Sequence, residues 1–466
     1  MIKSVLYWSY QKRWLLFAFL LGALLFYLPY PGGLTPEGYR TLIITVMVVI
    51  LIISEAVPLP ATGLLIAVLQ VVFGLGSAST VAQSYASDAV FFIMGSLMLA
   101  VAIVRQGLDA RLTLGILWLT GNRVTSIMWG FFVISLLLTS FMGEHTIVAM
   151  LLPVALTLVR NTGRDDQDVR GLMSLLLFAL AYGSIIGSFG TPSGGARNAI
   201  MIEYLADSGV ARMSYLRWII FAYPVLLIQI PLGGWLLTRT FKPEMVYLDR
   251  AVRKLKAQVG RTGPLTPQQI LAVALFVLIF LGWIFLSDTI GIGIVALAGV
   301  FLYLATGLVQ WSDLNQRTNW GVVLLYAGVI SLGLQLRDTG AAMWLAQNLV
   351  QVAGGLMERF EVVRYMLVIG MSTLVVNIMS PSATVAVLGP MFINFGGHPV
   401  LLGMTTAIAS AFGYMTAVGS AAGMIIASTG LLKPNDFVRA GWRFTLMSIA
   451  CLLLAIMFYW PWLVKE

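Results

Sequence analysis

Apolar residues run along this chain in long blocks rather than at alternate positions. Blocks able to cross a bilayer, at about 20 residues each, lie near 14–30, 41–58, 88–105, 217–240, 269–287, 291–310, 319–336 and 442–464. Two further runs do not read as simple spans. The run 126–160 is too long for one short helix and carries Ser140-Phe141-Met142-Gly143-Glu144-His145-Thr146 in its middle. The run 362–395 repeats the design around Asn377-Ile378-Met379-Ser380-Pro381-Ser382. Each predicts a re-entrant helical hairpin, because a polar tip at membrane depth is tolerated only where protein or a water cavity buries it. Pro153 and Pro390 stand ten residues after Gly143 and Ser380, and are expected to close the tips. An interrupted helix follows each hairpin: 173–205, broken at Gly187–Gly195, and 401–430, broken at Thr416–Gly423. Hairpin then broken helix, twice, predicts an all-α polytopic membrane protein of two inverted repeats, with about eleven transmembrane helices plus two re-entrant hairpins. Paired interrupted helices in two halves point to a transporter with its site near the bilayer midplane.

Composition agrees. Of 466 residues 59% are hydrophobic and only 10% charged, against roughly a quarter charged in soluble chains, and the mean hydropathy is +0.92. Lipid is therefore the solvent. The first apolar run follows Lys3, Lys12 and Arg13 without a small-residue cleavage site, so it reads as a first span rather than a removable signal. The net charge of +9 sits largely in flanks, which suits topology selection and implies no nucleic acid. The hydrophilic connection 241–268 carries Lys242, Arg250, Arg253, Lys254, Lys256 and Arg261 against Glu244 and Asp249. By the positive-inside rule it and the N-terminus are cytoplasmic, and its cations suit lipid headgroups. One cysteine, Cys451, excludes a disulfide within the chain, and with only His145 and His398 a transition-metal site is not expected.

Several segments resemble the divalent anion–sodium symporters. They are Ile53-Ser54-Glu55-Ala56-Val57-Pro58-Leu59-Pro60, Phe92-Ile93-Met94-Gly95 through Arg105-Gln106-Gly107-Leu108-Asp109-Ala110-Arg111-Leu112, Trp320-Gly321-Val322-Val323-Leu324-Leu325 through Thr339-Gly340, and Asn435-Asp436-Phe437-Val438-Arg439-Ala440-Gly441. The resemblance covers nearly the whole chain in order. It implies a homodimer held by a scaffold domain (1–125 and 269–361) and a transport domain (126–240 and 362–466) that slides as an elevator, with 241–268 as a cytoplasmic basic linker. It also implies an inner-membrane protein, a substrate held between the hairpin tips and the broken helices, and sodium beside each tip.

The family's tip motif, Ser-Asn-Thr, is missing from both hairpins. Its places read Gly143-Glu144-His145 and Ser380-Pro381-Ser382, while the broken-helix motif Thr-Pro-Pro-Asn becomes Gly195-Ala196-Arg197-Asn198 and Ser420-Ala421-Ala422-Gly423. The positions nearest to sodium sites are Gly143, Gly190, Thr191, Ser380 and Ser420, and sodium as a bound ion is doubtful there. No other cofactor is implied.

The physical reading of these places centres on an anion. Helix N-termini at the tips present free N–H groups and positive dipole ends. Thr146, Thr384, Ser380, Ser382 and Ser420 can add hydroxyl donors, although a Ser or Thr in a membrane helix often bonds to the preceding turn instead. Ala421 and Pro381 contribute backbone at the same places. Arg197 is costly at depth unless it faces the bundle interior, and its planar fork matches carboxylate or sulfate. It can equally replace a sodium ion, or pair with Glu144 or Glu203. His145 changes charge between pH 5 and 8 and suits protons better than sodium; it can also simply bond to Glu144 and stiffen the tip. Glu144, His145 and Arg197 thus suggest proton coupling or anion exchange. Glu55 reads as a helix-end cap or fold lock, and Arg105 and Arg337 as interfacial anchors.

The function these residues predict is secondary transport of a small di- or multivalent anion, a dicarboxylate, tricarboxylate or sulfate. The alternative is a cation–proton antiporter or oxyanion efflux carrier of the same broad superfamily, using Glu144 as its carboxylate. An enzyme is not expected: Glu144-His145 lacks the second histidine of His-Glu-x-x-His, and no phosphate-binding loop occurs.

Overall fold

The computed structural model describes residues 12–108, 111, 115, 119–162, 169–209, 213–259, 264–353 and 360–464. Lys3, Asp109, Ala110, Leu112, Arg261 and Glu466, used above, lie outside them.

Helix boundaries follow local chemistry. After α1 (Arg13–Tyr27), α2 (Pro36–Ser54) starts where Thr35 Oγ1 accepts from the Gly38 N–H and Pro36 needs no donor. It stops at Glu55, which turns through the left-handed region at φ 49°. The span expected over 41–58 therefore ends early, and Pro58 caps a separate helix, α3 (Leu59–Val72), which the hydrophobic pattern did not reveal. Short α4 (Ala78–Tyr85) leads to α5 (Asp88–Arg105). The first hairpin is α6 (Val124–Met142) and α7 (Glu144–Arg160); its turn is the single residue Gly143, at φ 71°, a conformation that favours glycine. The first broken helix is α8 (Arg170–Gly187), a 3-10 turn at Pro192–Gly194, and α9 (Ala196–Asp207).

Next come α10 (Tyr215–Thr240) and α11 (Asp249–Val259), then α12 (Pro267–Ile290), α13 (Ile292–Ala305), α14 (Trp311–Arg317), α15 (Trp320–Asp338) and α16 (Ala341–Ala353). The second hairpin is α17 (Glu361–Val376) and α18 (Pro381–Ile393), and the second broken helix is α19 (Pro399–Ala409) and α20 (Ala421–Ala427). The chain continues through α21 (Pro434–Leu454), a π turn at Ala455–Tyr459 and α22 (Trp460–Leu463). Among the described residues no strand forms, and eight helices are long and apolar enough to cross a membrane.

Two expectations are corrected. Pro153 and Pro390 do not close the tips; they lie inside α7 and α18. In both helices the proline carbonyl accepts from the side chain four residues on, Thr157 Oγ1 at 2.7 Å and Asn394 Nδ2 at 2.8 Å. The second break opens at Ser410 rather than Thr416. Asn377 explains this: its Nδ2 donates to the Phe412 carbonyl and its Oδ1 accepts from the Met415 N–H, satisfying backbone groups that a continuing helix would use.

At the centre lies α8, buried on every side from Leu172 to Gly187, as a helix apolar all round requires. It packs on α6 so closely that a Cβ at Gly187 would strike the Leu136 carbonyl. A second cluster joins α2, α3, α15 and the first turns of α18 through Ile44, Ile66, Val329 and Ala383. By contrast α12 exposes Val277, Leu278, Leu281 and Phe285, a face made for lipid.

The basic connection is partly structural. Glu244 accepts from the N–H groups of Gly171 (2.6 Å) and Leu172 (3.0 Å) at the start of α8, where negative charge is favourable. The adjoining α11 packs on α7 with Ala251, Val252 and Leu255 buried and Arg253 and Lys254 exposed. Arg105 and Arg337 end their helices as expected and also form ion pairs, with Asp313 at 3.4 Å and with Asp338 at 2.6 Å.

Candidate functional site

Both hairpin tips are tied to the broken-helix loops by the same device. In the first half the Thr191 hydroxyl donates to the Ser140 carbonyl, just before the tip. In the second the Thr416 hydroxyl donates to the Asn377 carbonyl at 2.8 Å. Ser140 and Asn377 each stand three residues before the residue that caps the second arm, Gly143 and Ser380. The two halves therefore superpose in their hydrogen bonding as well as in element order. Asn377 adds the two loop bonds described above. Asn377→Ala orphans the Met415 N–H and the Phe412 carbonyl, at a cost of about 1–3 kcal/mol; a lower melting temperature of the purified protein, without loss of expression, is the expected reading.

Arg197 and Glu144 meet inside this frame. Arg197, on the first turn of α9, is 2% exposed, and Glu144, the first residue of α7, is 7% exposed. Arg197 Nη1 lies 3.4 Å from Glu144 Oε1, and Nη2 donates to the Ser188 hydroxyl. Glu144 Oε2 accepts from the Ala422 N–H at 3.4 Å. Of the two partners open to Arg197 from the sequence, the structure selects Glu144. Glu203 lies farther along α9, at a cavity of about 360 Å³ shared with Asp88 and Asp288.

The other candidates divide. Asn198 Nδ2 donates to the carbonyls of Ser188 (2.9 Å) and Thr191 (2.7 Å), fixing the first loop, while its Oδ1 and the Nε of Arg197 are buried without a partner among the described residues. Ser380 and Ser420 cap their own helices, accepting from Ala383 and Gly423. Thr384 donates back to the Ser380 carbonyl at 3.1 Å. Ser382 is buried and faces the Tyr326 hydroxyl of α15. Pro381 is buried, whereas Gly143, Thr146 and Ala421 are half-buried. Gly190 and Thr191 lie buried in the first loop. His145 is exposed, and among the described residues no hydrogen bond joins its ring to Glu144, so the stiffening bond expected there is not formed.

Tyr326, Tyr414 and Ser188 were missed in the sequence. Tyr326 and Tyr414 both lie within electrostatic reach of Glu144 and Arg197. Their one signal is a phenol in the middle of an otherwise apolar or glycine-rich stretch.

Residues 9–465 match the family described as the sodium:sulfate symporter transmembrane region. The chain belongs to this family. An uncharacterized transporter of Haemophilus influenzae is 26% identical over 449 residues, covering 92% of this chain and 93% of that protein. A sodium-dependent dicarboxylate transporter, SdcS, of Staphylococcus aureus is 25% identical over 477 residues, covering 96% and 91%. SdcS of Staphylococcus saprophyticus is 24% identical, covering 95% and 91%. This symporter-family chain is thus a polytopic membrane transporter of small anions and not an enzyme, and the resemblance drawn from its segments agrees with the match.

Proposed function

We propose that this chain carries small di- or multivalent anions, dicarboxylate, tricarboxylate or sulfate-like, across the inner membrane, with proton coupling or anion exchange in place of strict sodium coupling. The observation that carries the reading is the buried Arg197, held between the first broken-helix loop and the first hairpin tip with its Nε–H unpartnered among the described residues. A guanidinium that is buried but incompletely bonded is an anion receptor in waiting. The S. aureus and S. saprophyticus relatives, named as dicarboxylate transporters, support the substrate class.

Sodium fits this site poorly. A cation beside Arg197 is repelled, and the neutral oxygens near the first tip already take part in hydrogen bonds. Thr191 and Ser193 bond to each other at 3.0 Å, and Ser193 also meets the Tyr215 hydroxyl at 2.7 Å. At the second tip Asn377 Oδ1 accepts from Met415, and the Thr416 hydroxyl accepts from Gly419. In this reading 126–240 and 362–466 move as the transport domain against a dimeric scaffold of 1–125 and 269–361. The N-terminus and the 241–268 connection face the cytoplasm, and lipid headgroups meet the exposed cations of α11.

The test is uptake of labelled succinate and sulfate into proteoliposomes under a sodium gradient, a proton gradient, or unlabelled anion inside. Stimulation by protons or internal anion, without sodium, is the expected result. Sodium-driven uptake overturns the coupling, and no anion uptake under any condition moves the reading to a cation–proton antiporter built on Glu144.

A further inference from the structure

Glu144 poses an electrostatic problem, because a fixed carboxylate beside an anion site repels the ligand. The geometry shows where its charge is spent. One oxygen faces Arg197 and the other the Ala422 N–H, each at 3.4 Å. Arg197 and Ala422 occupy matching places: each stands six residues after a loop threonine bonded to its hairpin, Thr191 or Thr416, and two after the N-cap of the second half-helix, Gly195 or Ser420. One side chain from the first tip therefore spans both halves of the duplicated site. Both contacts lie beyond the usual 2.7–3.2 Å range, so charge rather than tight bonding holds the carboxylate there. Among the described residues Arg197 Nε and Asn198 Oδ1, on the same turn, have no hydrogen-bond partner.

We propose that Glu144 is a resident anion: it occupies the anion position of the empty carrier, and a substrate anion must displace it from Arg197 and Ala422. This rests on the reading of Arg197 as the anion-binding charge. Two consequences separate it from that reading. The empty site holds a neutral pair rather than a lone buried guanidinium, so the empty carrier can cross the membrane and net uptake is open to it as well as exchange. Removing the charge, as in Glu144→Gln, removes the competitor and raises anion affinity. The groups facing Glu144 are Arg197 from α9, Tyr326 from α15, Tyr414 from the loop after α19, and the neighbouring His145.

Full-length protein in detergent, titrated with sulfate and with succinate and followed by melting temperature, tests this at neutral and at mildly acidic pH. Glu144→Gln is expected to bind either anion at least about tenfold more tightly than the wild type at neutral pH. Glu144→Asp, which keeps the charge but withdraws it by one methylene, is expected between the two and supplies the answer if the glutamine variant does not fold. Unchanged or weaker anion binding by folded Glu144→Gln overturns the resident-anion role while leaving Arg197 as receptor. Absence of anion stabilisation in every variant at either pH overturns both.

Discussion

Arg197→Leu is expected to abolish anion stabilisation of the purified protein and to lower its melting temperature, because it removes the receptor and strands Glu144. A carboxylate only 7% exposed then loses the cation 3.4 Å away, and breaking a buried pair by removing one partner costs about 3–5 kcal/mol. The two losses have separate causes, and a second substitution separates them. Combining Arg197→Leu with Glu144→Leu removes the stranded charge, so thermal stability is expected to recover while anion binding does not. Thermal melts of the three proteins, wild type, single and double variant, with and without sulfate or succinate, make the comparison. Anion stabilisation of folded Arg197→Leu at wild-type concentrations refutes the assignment. An equal stability loss in the double and single variants removes the pairing account.

The second large effect lies in packing. Gly187→Val is expected to yield little or no monodisperse protein on size-exclusion chromatography. At Gly187 α8 crosses α6 in such close contact that a Cβ meets the Leu136 carbonyl, and backbone cannot move aside as a flexible side chain can. Overpacking in ordinary cores costs about 1–3 kcal/mol, and here the displaced atoms belong to the helix leading to the first tip. Gly187 is also the last residue of α8, and its carbonyl accepts from the Ser140 hydroxyl at 3.0 Å. A shift at this crossing is therefore transmitted to the Ser140 carbonyl that Thr191 uses. Recovery of well-behaved Gly187→Val protein with normal anion binding tells against the rigid crossing.

The resident-anion account also alters the argument for exchange. A lone fixed cation makes return of an empty carrier costly, which favours obligate exchange. The pair seen here removes that cost, so in that account net uptake stands open beside exchange.

The duplicated plan was legible in the residues. The two hairpins, the first break at Gly187–Gly195 and the matching places of Gly195-Ala196-Arg197-Asn198 and Ser420-Ala421-Ala422-Gly423 all follow from runs of apolar residues interrupted by polar and glycine clusters. Helix α3 escaped because Pro58 lies inside a continuous apolar stretch, and hydropathy does not register a turn at a residue such as Glu55 that adopts a left-handed conformation. The early opening at Ser410 escaped because Asn377, distant in sequence, supplies the bonds that make it possible.

By itself the sequence determined that this chain lives in lipid, that it is built twice over, and that a glutamate and an arginine stand at the first hairpin tip and the first broken helix. Those conclusions depend on hydrophobicity, period and residue type, which are local properties. Packing in three dimensions settled that Glu144 rather than Glu203 meets Arg197, that among the described residues no hydrogen bond joins His145 to Glu144, and that the hydroxyls of Ser380, Ser420 and Thr384 each bond within their own helices. The reason is physical: a buried charge takes the counter-charge nearest in space, and a hydroxyl takes the acceptor or donor within about 3 Å. Distances of that kind are set by the crossing of α6, α8 and the tips, and not by spacing along the chain.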